Sequence, residues 1–137
     1  MQLAELVDVS EAVARARGRL EKIDRLAGLL SAAAPGEVEI VVGYLAGDPR
    51  QGRLGLGPAA IVEARDTAAA GQASLSPTQT HTASDQPAAV SGPGSGRERA
   101  ALWRGLLARA TTEEQDFLAR LALGELRQGA LEGVLAE

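Results

Sequence analysis

Two six-residue stretches carry residue types suited to holding an anion. Gly47-Asp48-Pro49-Arg50-Gln51-Gly52 is echoed seventy-seven residues later by Gly124-Glu125-Leu126-Arg127-Gln128-Gly129. Each runs glycine, acid, one variable residue, then Arg-Gln-Gly. A glycine-rich loop exposes backbone N–H groups, and a helix starting just after it adds the positive end of its dipole. An arginine alongside supplies a planar, two-pronged donor matched to a phosphate. Two such loops could grip two phosphates of a nucleic-acid backbone, which positions a protein without reading base sequence. The plain structural alternative is that the glycines end helices in the left-handed conformation and the arginines are ordinary surface residues.

The other reactive groupings do not assemble into a site. Lys22-Ile23-Asp24-Arg25 comes near the Lys-x-Asp-Gly motif in which covalent nucleotidyltransferases attack ATP with the lysine. Arginine stands in place of the glycine, however, and the stretch lies inside a strongly periodic helical pattern. Gly52 and Gly57 have the spacing that opens a P-loop, but Pro58-Ala59 occupies the Lys-Ser/Thr positions that reach the terminal phosphates and magnesium. Gly55-Leu56-Gly57-Pro58-Ala59-Ala60 fits the alanine form of a dinucleotide fingerprint, yet no strand directly feeds it. His81 is the only histidine and has no cysteine to join it, so it reads as a solvated linker residue rather than a metal ligand or acid–base group. Neither a catalytic residue nor a metal site is expected.

Composition bounds the fold class. The chain has 137 residues, of which 45% are apolar but only 2% aromatic, with no cysteine. That is one domain's worth of chain, with a core of Leu, Val and Ala that suits helices. No secretory signal or roughly 20-residue membrane span is visible, so a soluble cytoplasmic protein is expected. The formal charge is −4, from eight basic and nine acidic groups in residues 1–65, six and seven in residues 96–137, and two further acids between. That balance argues against a strong independent nucleic-acid binder but not against a locally basic face.

Apolar spacing places helices around these loops. Residues 2–17 set Leu3, Leu6, Val7, Val9 and Val13 at mostly helical intervals, and Leu20, Ile23, Leu26, Leu29 and Leu30 do the same before Pro35-Gly36. Residues 37–45 fit a strand by β-branching or a helix by spacing; helical neighbours favour helix. Pro58 opens a helix to about Thr67. Residues 67–96 read as a flexible linker, in which Ser76-Pro77 offers the start of one helix. Ser95 caps a helix running to about Arg109. A capping box follows, Thr111 with Glu114 or Thr112 with Gln115, and leads a helix that stops near Gly124. A last helix spans 130–136. One domain over 1–137 results, with helical halves 1–67 and 96–137, a linker or weak helix over 68–95, and a C-terminal helix cut short by the chain end.

Three segments together resemble a known family. They are Gly18-Arg19-Leu20 with Lys22-Ile23 and Leu26 through Leu30, then Tyr44-Leu45-Ala46 through Gly57, then Glu114-Gln115-Asp116-Phe117-Leu118 through Val134. In order and spacing they are similar to the N-terminal DNA-binding domain of ATP-dependent DNA ligases of the bacterial, actinobacterial type. The resemblance implies an all-α, compact multi-helix domain of two pseudo-symmetric halves lying along the minor groove of nicked double-stranded DNA. It implies as partners the ligase's own nucleotidyltransferase and OB-fold domains, and a nucleoid-associated parent enzyme that uses ATP and Mg2+ to seal nicks in repair and replication. The fragment itself needs no cofactor. The implied phosphate contacts are Arg19, then Gly124, Arg127 and Gly129 with the backbone N–H near Leu131. In the first loop they are Arg53, Gly55 and Gly57, with Arg50 bracing it.

The chain departs from the family pattern in three places. Glu125 replaces a base found in eukaryotic relatives. Thr80, Ser84 and Pro87 fall where apolar residues are usual, implying a short or frayed helix there. Lys-x-Asp-Gly is absent, so this chain alone should not seal nicks. The acidic net charge leaves a helical protein–protein scaffold as the competing class.

Overall fold

Wherever the described chain carries aliphatic residues at intervals of three and four, it forms helix. The computed structural model describes residues 1–16, 18–46, 58–89 and 95–123. Its elements are α1 (Leu3–Arg15), α2 (Arg19–Ala32), α3 (Val38–Leu45), α4 (Pro58–Ala64), α5 (Pro77–Ala89), α6 (Ser95–Ala108) and α7 (Thr112–Leu123), with no strand among the described residues. The all-α class read from composition is therefore correct. The helix expected over 130–136 lies outside the described residues.

α1 buries Leu3, Leu6, Val7 and Val13 to 1% exposure or less. It packs against α2, α3 and α7. α2 sends Leu26 and Leu29 into the same core, with Ile23 and Leu30 at its edge. Leu20 does not follow them: it is 82% exposed, because the first turn of α2 projects beyond the core it was expected to join. Residues 38–45 are helix rather than strand, and Ile40, Val41, Tyr44 and Leu45 all point inward. The Tyr44 ring meets Phe117 of α7 with centroids 6.5 Å apart and planes tilted by 59°, a geometry that aligns ring edges with faces.

Pro58 opens α4 as expected, but the helix ends at Ala64. Residues 65–67 tighten instead into i→i−3 bonds, such as the Thr67 N–H donating to the Ala64 carbonyl at 3.0 Å.

The first part of the segment that composition marks as a flexible linker is pinned at Ala70 and Leu75. The Ala70 N–H donates to the Ala110 carbonyl at 2.8 Å, and the Leu3 N–H donates to the Leu75 carbonyl at 2.7 Å. Leu75 is fully buried. α5 then starts with a reciprocal capping box. The Gln79 N–H donates to Ser76 Oγ at 3.0 Å, and the Ser76 N–H donates to Gln79 Oε1 at 2.9 Å. Thr80 is completely buried, and its hydroxyl donates to the Ser76 carbonyl at 2.9 Å, so threonine fills an apolar position by satisfying its own oxygen. His81 is correspondingly a half-buried helical residue, not a solvated linker residue.

α5 lies chiefly against α6, and α6 and α7 close the core with Trp103, Leu106, Leu107, Phe117, Leu118 and Leu121. The α7 box uses the first of the two expected pairs. The Thr111 N–H donates to Glu114 Oε1 at 2.8 Å and the Glu114 N–H to Thr111 Oγ1 at 3.3 Å. Buried side chains of α1, α2, α3, α4, α6 and α7 belong to one hydrophobic cluster.

Leu107→Ala should lower the unfolding free energy by about 2–5 kcal/mol in urea titrations, whereas Leu20→Ala should change it by less than about 0.5 kcal/mol. Ser76→Ala removes one half of the α5 box, and the same titration should register a loss of about 1 kcal/mol.

Candidate nucleic-acid interface

Arg19 is the one expected phosphate contact within the described residues. It is exposed and is the first residue of α2. Its position follows from the preceding residues. Ala16 (φ −69°, ψ 140°) and Gly18 (φ −101°, ψ 144°) are extended, which ends α1 and starts α2 without a side chain capping the new helix. A Cβ on Gly18 would meet nothing within 4 Å, so this approach to the helix end is open. One turn on, Glu21 is drawn away by Arg25 at 3.4 Å along the helix. The positive end of the α2 dipole and the Arg19 guanidinium therefore share one exposed corner. Lys22 and Asp24 lie within α2 with Arg25 committed to Glu21, so the partial nucleotidyltransferase motif is an ordinary helix face.

Arg50, Arg53, Gly55 and Gly57 of the first glycine-arginine loop lie outside the described residues, as do Gly124, Arg127, Gly129 and Leu131 of the second. The helices that flank them are described. α3 ends two residues before Gly47 and α4 begins directly after Gly57; α7 ends directly before Gly124. α4 packs on α7, and Arg65 at the end of α4 bridges to Asp116 at 2.7 Å. The C-terminal half of α1 faces the middle of α7 across a shared cleft. As a result, the α1–α2 corner bearing Arg19 and the helix leading into the second signature belong to the same packed unit.

Polar contacts that the sequence did not indicate hold this arrangement. Gln115 Nε2 donates to the Thr67 carbonyl at 3.1 Å and to the Leu107 carbonyl at 2.8 Å, tying three segments with one amide. Arg104 donates to Thr67 Oγ1 at 3.3 Å. Only the i,i+4 spacing of Asp116 and Arg120, which approach to 3.9 Å, gives any local hint of the cluster. No trio of His, Asp or Glu able to hold a metal ion occurs among the described residues.

No family model matches the chain. Individual relatives do. A "Probable DNA ligase" of Anaeromyxobacter sp. (strain Fw109-5) is 59% identical over 138 residues, covering all of this chain and 27% of that protein. Along its whole length this chain is similar to part of a protein named as a probable DNA ligase. Proteins of the same name from Sorangium cellulosum (strain So ce56) and Saccharopolyspora erythraea are each 47% identical to this chain. They cover 100% and 98% of it, and it covers 26% of each of them. The chain thus spans about a quarter of the length of these relatives.

Gln115→Ala should destabilise the chain by about 1–3 kcal/mol, because the Thr67 carbonyl loses this donor and the Leu107 carbonyl is left with the Ala110 N–H alone. Arg65→Ala breaks a bridge whose partners are each 45% exposed. Thermal or urea unfolding should show a change below about 1 kcal/mol for it.

Proposed function

We propose that this chain is a duplex-DNA-binding domain of an ATP-dependent DNA ligase, engaging the phosphate backbone along the minor groove beside a nick. The observation that carries the reading is end-to-end identity of 59% to a protein named as a probable DNA ligase. The exposed Arg19 at the uncapped start of α2 agrees with it, since that corner combines a bidentate cation with a helix dipole. The domain supplies affinity and orientation through Arg19 and the two glycine-arginine loops. ATP and Mg2+ serve the nucleotidyltransferase and OB-fold domains of the parent enzyme, where the adenylated lysine resides and nicks are sealed in repair and replication. Phosphate contacts carry no base information, so binding is sequence-independent and driven by counterion release. The net charge of −4 is no obstacle to this, because the contact depends on the local face.

Fluorescence anisotropy with a nicked duplex at low salt tests the reading. Saturable binding is expected, while no binding at high micromolar concentration would favour a protein–protein scaffold. Arg19→Ala and Arg127→Ala should each reduce the slope of log affinity against log salt by about 0.9. Unchanged slopes for both variants would remove the phosphate grip from the account.

A further inference from the structure

A cleft of about 380 Å³ separates the C-terminal half of α1 from α7, walled by Ser10, Glu11 and Arg15 on one side and Asp116, Phe117 and Arg120 on the other. Three features make it more than a gap between helices. The first is Ser10, which is only 9% exposed and whose hydroxyl has no hydrogen-bond partner among the described residues. A hydroxyl inside a helix ordinarily donates to the carbonyl one turn back. Ser31 does so to Ala27 at 2.8 Å and Thr80 to Ser76 at 2.9 Å. Ser10 keeps its donor for the cleft.

The second feature is the distribution of charge. Asp116 is already held by Arg65 at 2.7 Å and by Arg120 at 3.9 Å. Arg15 makes no ion pair among the described residues, even though Glu11 sits one turn before it. In the cleft Arg15 and Arg120 face Glu11 and Asp116, but Arg65, which is not among the lining residues, takes up much of the Asp116 charge, and Arg15 is uncommitted. The third is position. Arg15 precedes Arg19 by four residues, and an extended chain of that length spans at most about 14 Å. The cleft and the Arg19 corner can thus meet one continuous strand.

We propose that this cleft is a further phosphodiester subsite, in which Arg15 and Arg120 hold the non-bridging oxygens and Ser10 donates to one of them. Phe117, 4% exposed, forms an apolar floor against which a deoxyribose can rest. The inference rests on the DNA-binding reading above and extends its phosphate track from the α2 corner onto the α1–α7 face. Glu11 opposes the anion, which makes its removal informative.

Nicked-duplex anisotropy across a salt series distinguishes the two levels. Arg15→Gln and Arg120→Gln should each lower the log–log slope by about 0.9, as expected for one lost phosphate contact. Ser10→Ala should weaken binding roughly tenfold with the slope unchanged, because a neutral donor releases no counterion. Glu11→Gln should tighten binding roughly two- to five-fold, an effect that damage to the fold would not produce. Circular dichroism melts of each variant separate lost folding from lost contacts. If the unmodified chain binds and these four variants match it in affinity and slope, the subsite is overturned while the DNA-binding reading stands. If the unmodified chain shows no saturable binding, both fall.

Discussion

Burial of one face of α1 is the contact on which the other helices depend. Leu3, Leu6, Val7 and Val13 are essentially inaccessible to solvent, and α2, α3 and α7 all lie against this helix. Burying each such side chain contributes about 1.5–3 kcal/mol, and with aromatics so scarce the core has few larger pieces to use instead. Among the described residues Tyr44 and Phe117 form a ring contact, and Trp103 of α6 belongs to the same core cluster. Because α1 turns its apolar stripe to several partners, its C-terminal half is fixed opposite α7. That placement sets Ser10 and Arg15 across from Asp116 and Arg120.

Around this apolar centre, polar groups decide the path of the connections. The segment from Thr67 to Ser76 has little bulk to bury, yet the Ala70, Leu75 and Thr67 backbones are each engaged by another element. Hydrogen bonds to the backbone do not require particular residue types in the segment that is held. A run of Ala, Gly, Gln and Ser can therefore be ordered by its neighbours while looking like linker by composition. The core is not free of polar cost. Trp103 Nε1 and Glu114 Oε2 are buried without a hydrogen-bond partner among the described residues, although the other Glu114 oxygen caps α7. Each such orphan costs about 1–3 kcal/mol, which the surrounding apolar burial offsets.

Net charge alone does not describe the surface that the arginines present. An overall negative protein can still present arginines where a polyanion approaches, if its acids are occupied elsewhere. Glu21 is engaged by Arg25, Asp116 by Arg65 and Glu37 by the Thr78 hydroxyl. Arg15 at the end of α1 and Arg19 at the start of α2 flank the junction of these helices, a local arrangement that whole-chain charge does not reveal.

Helix identity was legible in the sequence because it depends on spacing within a few residues. The faces of α1, α6 and α7, the opening of α4 by Pro58, and the Thr111–Glu114 box could all be read from local pattern. The resemblance carried by Gly18-Arg19-Leu20 and the two glycine-arginine signatures pointed to the ligases for the same reason: short motifs persist in linear order. Tertiary structure alone decided that Leu20 stays in solvent, that Thr80 is buried, that residues 67–76 are tied down, and that Ser10 keeps an open hydroxyl. Each of these outcomes depends on which distant helix arrives alongside. Gln115 holding both Thr67 and Leu107, and Arg15 facing Arg120 across a cleft, join residues that no local periodicity relates.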